Sequence, residues 1–183
     1  SSTFSWKGEI ELKKELISIP QIVSKVLRDQ SYRNKNHEFI VKFPKDFPLV
    51  EADSTRIEQV LRNLVDNSVK YSKEETKIEI KGKVTAIEVV VSVADQGIGI
   101  NNEHLKWLFE KFFRTTDGIM ENKKGIGLGL PLARQIILSH GGRIWAKSKV
   151  NHGTTLYFTL PTGKHTDESD DYPKSGREAQ YET

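Results

Sequence analysis

The chain has 183 residues, 36% of them hydrophobic, and its 28 Lys and Arg against 25 Asp and Glu leave a formal charge of +3. That is enough for one globular domain with its own core, and a chain without cysteine has no disulfide and no thiolate metal site. No apolar run approaches the roughly 18 residues of a membrane helix, since Glu88 and Ser92 interrupt the best stretch, and the polar residues 1–11 lack the order of a signal peptide.

Over residues 20–32, Ile22, Val23, Val26 and Leu27 recur at helical spacing, and residues 38–43 alternate as a strand does. Asp53 stands at an N-cap position before a periodic run over 57–71, the longest predicted helix. Residues 77–84 and 87–94 read as a hairpin linked at Thr85 and Ala86. A helix over 102–111, a polar loop over 115–127, a helix over 131–140 and strands over 143–149 and 154–160 complete the body. This order predicts an α/β sandwich in two layers, one mixed sheet with helices packed on one face. Residues 162–183 carry Lys164, Lys174 and Arg177 against Asp167, Glu168, Asp170, Asp171, Glu178 and Glu182, so a disordered polar tail is expected. Its net of −3 leaves +6 of the total of +3 on residues 1–161. The basic residues there are scattered, which argues against a nucleic-acid partner.

Four motifs carry candidate chemistry. On the longest helix, 100° per residue puts Ile57, Leu61, Leu64 and Val65 on one arc and Asn63, Asn67 and Lys70 on another. Asparagine is a poor helix former, so two of them four apart are costly as mere surface. Their amide oxygens suit a Mg²⁺ shell shared with phosphate and water, and the lysine suits phosphate. The second motif is Asp95-Gln96-Gly97-Ile98-Gly99-Ile100, at the mouth of an apolar strand. Glycines here fit a plain turn, or a close backbone approach beside a carboxylate that accepts from the exocyclic amine of adenine and rejects the carbonyl edge of guanine.

The third motif, Gly125-Ile126-Gly127-Leu128-Gly129-Leu130, opens into a helix whose first turn tolerates Pro131, and it offers backbone N–H groups to an anion. No Lys-Ser or Lys-Thr closes it as in a Walker A loop, and it follows a polar loop instead of the strand a Rossmann turn needs. Between the glycine motifs lie Phe109, Phe112, Phe113 and Arg114 and a loop with Gly118, Lys123 and Lys124, the layout of a lid with an aromatic anchor and phosphate-answering cations.

Taken in order, these boxes closely resemble those of the catalytic, ATP-binding domain of sensor histidine kinases, and the similarity runs over residues 20–161, through Gly141-Gly142-Arg143-Ile144-Trp145 to Gly153-Thr154. The resemblance implies the Bergerat α/β sandwich and the cofactors ATP and Mg²⁺. It implies that Asn67, assisted by Asn63, binds the metal, that Lys70 touches phosphate and that Tyr71 lies near the nucleotide. Asp95 would hold adenine, with Gly97, Ile98, Gly99 and Ile100 shaping the base pocket and Thr154 supporting it. Gly125, Gly127, Leu128, Gly129 and Leu130 would bracket the triphosphate, while Phe112, Lys124 and Arg114 would serve the lid, Arg114 directing the γ-phosphate. Asn67, Lys70 and Arg114 would be the catalytic set. Phe113 stands where the family often has tyrosine.

None of His37, His104, His140, His152 and His165 has the context of the family's phosphoacceptor. A protein-histidine kinase domain that presents ATP to a histidine on a separate dimerisation domain, for onward transfer to a response-regulator receiver domain, is therefore expected. Residues 1–19 would end the connection to that domain, and the five histidines would be structural or surface residues. The domain is expected to be monomeric by itself, cytoplasmic and without membrane contact, with anchoring of the parent left open. An anti-sigma-type serine/threonine kinase of the same fold, or a nucleotide-binding module without transfer, is the alternative.

Overall fold

The computed structural model of the protein describes residues 10–33, 36–110 and 126–163. In chain order its elements are β1 (Glu15–Ile17), α1 (Ile19–Arg33), β2 (Glu38–Lys42), β3 (Val50–Ala52), α2 (Ser54–Tyr71), β4 (Lys77–Val84), β5 (Glu88–Ala94), α3 (Asn102–Leu105), α4 (Ile126–Ser139), β6 (Ile144–Lys149) and β7 (Gly153–Pro161). Of the expected tail, Thr162 and Gly163 are described, the Thr162 amide donating to the Ile87 carbonyl at 3.0 Å, while residues 164–183 and the lid residues from Lys111 to Gly125 lie outside the described residues.

Five strands form one sheet in the order β2-β4-β5-β7-β6, with β2 parallel to β4 and every other pair antiparallel. Alternation decides its faces. Along β5, Val89, Val91 and Val93 are fully buried, whereas Val90, Ser92 and Ala94 are only half-buried. The helices cover the valine face: α2 packs on β5, and α4 on β6 and β7. From α2 come Ile57, Val60, Leu61, Leu64 and Val65, from α4 Leu130, Ala133, Ile136 and Ile137, all buried against Ile78, Ile80, Leu156, Phe158 and Leu160. The expected two-layer mixed sandwich is thus present.

Asp53 caps α2 as the sequence suggests, its carboxylate accepting the Arg56 amide at 3.2 Å. The same carboxylate accepts the Lys13 amide at 3.0 Å, and the Asp53 amide donates to Nε2 of buried His140 at 3.0 Å. This junction joins the chain entry, α2 and the end of α4.

Three features differ from expectation. A two-stranded sheet, β1 antiparallel to β3, carries Ile17, Val50 and Ala52 into the core, and Ile19 follows them. Three-residue strands show no periodicity to read, so part of the segment expected as a connection packs in the body. The predicted helix over 102–111 keeps its α geometry only in α3, after which Trp107, Leu108 and Glu110 bond to carbonyls three residues back. That tighter turn places Leu105, Leu108 and Phe109 in the core together. Finally, α4 begins at Ile126, so Pro131 lies inside the helix and not in its first turn. An interior proline costs about 3 kcal/mol, and Leu130, which the earlier start brings into the helix, is fully buried, worth about 1.5–3 kcal/mol against that cost.

Candidate functional site

Where β5 ends, five segments converge: the last turns of α2, the turn over 95–101, α3 with the turn that follows it, Leu130 of α4 and the β6–β7 hairpin. They enclose a cavity of about 250 Å³ lined by Asn67, Tyr71, Asp95, Ile98, Gly99, Ile100, Leu130 and Thr154 among others.

Asp95 leaves β5 with its amide bonded to the Thr154 carbonyl at 2.9 Å. Its Oδ1 accepts two amide protons, from Gly97 at 2.9 Å and Thr154 at 3.1 Å. Burial pushes its carboxyl above the ordinary range, and those two N–H groups pull it back only in part. Oδ2 remains as an acceptor for a ligand.

The turn after Asp95 is stitched on both sides. A Cβ on Gly97 would lie 2.1 Å from the Tyr71 carbonyl oxygen, and Ile98 donates to that oxygen at 3.3 Å. Gly99 adopts φ +70°, and a Cβ there would lie 2.1 Å from the Lys149 carbonyl oxygen. At these two positions a side chain cannot enter without moving backbone. Asn151 donates to the Ile98 carbonyl at 2.8 Å, and Ile100 donates to Ser148 Oγ at 2.7 Å.

The α2 side is different in kind. Asn67 lines the cavity, its Nδ2 engaged with the Asn63 carbonyl of its own helix at 2.8 Å, so Oδ1 is the atom left for a cation. Asn63 is half-buried one turn earlier, Lys70 is exposed, and neither lines the cavity. Tyr71 does, with its phenol pushed up to about 12 by burial. Among the described residues no three His, Cys, Asp or Glu side chains form a metal cluster. An ion here would draw on amide oxygen, phosphate and water, which fits Mg²⁺ and its habit of keeping waters and substrate oxygens.

Of the remaining candidates, Gly97 is not among the lining residues but packs against the Tyr71 carbonyl and Asp95 Oδ1, and Gly127, Leu128 and Gly129 fall in the opening turn of α4, where only the backbone is described. Phe112, Arg114, Lys124 and Gly125 lie outside the described residues. Asn101, His104, Leu108, Val150 and Leu156 line the cavity without having been singled out. His104, expected at the surface, lines the cavity from α3, whose N-cap Asn101 accepts its amide proton at 2.9 Å. For Leu108 and Leu156 the only sequence signal was apolarity.

Residues 52–164 match the family described as histidine kinase-, DNA gyrase B- and HSP90-like ATPase. The sensor protein KdpD of Clostridium acetobutylicum is 35% identical over 155 residues, which cover 85% of this chain and 17% of that protein. This chain likewise spans 25% of the length of the sensor kinase WalK from Staphylococcus haemolyticus, 29% identical over 82% of this chain. Among solved structures, the catalytic domain of histidine kinase ThkA superposes with a TM-score of 0.70 at 34% identity, over 83% of this chain and 96% of that one. ThkA is also known in complex with the response regulator protein TrrA. Full-length ShkA in complex with AMPPNP gives a TM-score of 0.72 at 26% identity, over 83% of this chain and 32% of that one.

Proposed function

Because this chain belongs to the histidine kinase-, DNA gyrase B- and HSP90-like ATPase family, as the catalytic domain of a sensor histidine kinase, we propose that it binds Mg·ATP in the cavity at the end of β5. It then offers the γ-phosphate to a histidine on a dimerisation domain of the same kinase, which passes it to a response-regulator receiver. Residues 20–161 are the nucleotide-binding unit in this reading.

The observation that carries it is Asp95, a desolvated carboxylate whose Oδ1 is occupied by two amides while Oδ2 is left to accept. Such a group pairs with the 6-amino group of adenine and opposes a 6-carbonyl. Ile98, Ile100, Leu130 and Leu156 supply apolar walls for the base. Asn67 Oδ1, assisted by Asn63, would hold Mg²⁺, which when bound neutralises phosphate charge. Lys70 and Arg114 complement the phosphates, the glycines at 125, 127 and 129 bracket them with Leu128, and Phe112 and Lys124 belong to the lid. The protein's contribution to transfer is then positioning and charge complementarity. AMPPNP bound to ShkA and the complex of ThkA with TrrA support the ligand and partner classes.

Calorimetric titration tests this. One saturable site for Mg·ATP, with GTP at least tenfold weaker, on the order of 1.4 kcal/mol, is the expected result. Absence of any heat with Mg·ATP, or equal affinity for both nucleotides, overturns it.

A further inference from the structure

The hydroxyl of Ser148, half-buried on β6, stands at a junction of three partners. Its Oγ accepts the Ile100 amide proton at 2.7 Å, lies 3.0 Å from the Gly153 carbonyl oxygen and is 2.7 Å from Thr154 Oγ1. A hydroxyl has one proton and two lone pairs. Gly153 O cannot donate, so the proton between it and Ser148 must come from Ser148. The remaining Ser148 lone pair then takes the Thr154 hydroxyl proton, and this is the arrangement in which all three contacts are hydrogen bonds.

The consequence falls on Thr154, which lines the cavity. With its proton committed to Ser148, its oxygen can accept from a ligand or a bridging water but cannot donate. Asp95 beside it, linked by the Thr154 amide at 3.1 Å, is also an acceptor. Two acceptors side by side match an amino group and oppose a carbonyl.

We propose that Ser148 is a positioning residue that holds the Thr154 hydroxyl in its accepting orientation while anchoring Ile100, and so strengthens selection of a 6-amino purine over a 6-oxo purine. The proposal rests on the nucleotide reading above and adds to it a second selectivity element, carried by a residue that does not itself line the cavity. Without Ser148 the Thr154 hydroxyl is free to turn and can donate to a carbonyl.

The test compares Mg·ATP with Mg·ITP, which differ at the 6-position, by calorimetry on the full chain and on Ser148→Ala, Ser148→Thr and Thr154→Val. The ATP/ITP affinity ratio is expected to fall roughly tenfold in S148A and T154V and to return in S148T. An unchanged ratio in S148A, or failure of S148T to restore it, overturns the proposal. If circular dichroism shows that S148A does not fold, T154V decides, and a wild-type ratio there overturns it equally. A wild-type chain that binds neither nucleotide refutes the nucleotide reading itself, before any variant is compared.

Discussion

The two ends of the cavity are built in opposite ways. At the β5 end, Asp95, Gly97, Ile98, Ile100 and Thr154 are tied by hydrogen bonds of 2.7–3.3 Å to two separate parts of the chain, the end of α2 and the β6–β7 hairpin. At the α2 end, Asn63, Asn67 and Lys70 project from a single helix, and the bond shown by Asn67 is to its own backbone neighbour. The first end is cross-linked by bonds from two parts of the chain, the kind of preorganisation that lowers the ordering cost of binding. The second presents polar groups from one helix, with Asn67 Oδ1 turned to the cavity side.

Asp95→Asn probes the β5 end most strongly. An amide oxygen can still accept from Gly97 and Thr154, but the NH₂ group then faces the purine amine, donor against donor. Calorimetry should show ATP affinity reduced about a hundredfold. Stability moves the other way. The folded carboxyl titrates above its ordinary 3.8 because burial disfavours its charge, so at neutral pH the ionised Asp95 costs stability, a cost relieved only as pH falls through the raised value. Asn carries no such cost, and thermal melting at neutral pH should show a midpoint no lower than that of the wild type. A variant that both melts early and loses ATP would mean that Asp95 is chiefly structural.

Asn67→Ala addresses the α2 end. Mg·ATP should bind about tenfold more weakly, whereas ATP in the presence of a chelator should bind as it does to the wild type. Equal loss in both conditions would show that Asn67 shapes the base end as well, and the contrast between the ends would fail.

The smallest effect concerns pH and lies away from the cavity. His140 Nε2 accepts the Asp53 amide proton and Nδ1 donates to the Ile136 carbonyl at 2.8 Å, so the ring is held neutral. Burial lowers its pKa from the ordinary 6.5, the Ile136 carbonyl and Asp53 partly opposing and Lys14 adding to the shift. Its contribution to stability is therefore complete above about pH 6.5 and declines as pH falls through that value toward the lowered one. Urea midpoints between pH 7.5 and pH 5.5 should decline in the wild type and flatten in His140→Gln, by roughly 1 kcal/mol or less overall. A slope that persists in the variant would assign it to another group.

Long elements were legible because they span several periods of their pattern. The arc of Ile57, Leu61, Leu64 and Val65 on α2, the alternation on β5 and the Asp53 cap repeat a local rule often enough to be read. β1 and β3 were not, since three residues carry no period. Nor was the start of α4, where Pro131 signals a first turn and the helix begins five residues earlier, with Leu130 buried ahead of the proline. At the site, side chains with a chemical reason to be there, Asn67 and Asp95, stood out; His104, Leu108 and Leu156 did not, because their residue types are ordinary anywhere in a core or on a surface.

By itself the amino-acid sequence determined the order of the longer elements, the kinship with histidine kinases and the chemical types at the cavity: a carboxylate, helical amides and glycines where backbone passes close to backbone. Only the tertiary structure decided which atoms of those groups are already engaged. Oδ1 of Asp95 is taken by an amide 59 residues away, and the Ile100 amide by a serine 48 residues away. Bonds across such separations leave no periodic trace along a chain, because the fold and not the spacing brings their partners together.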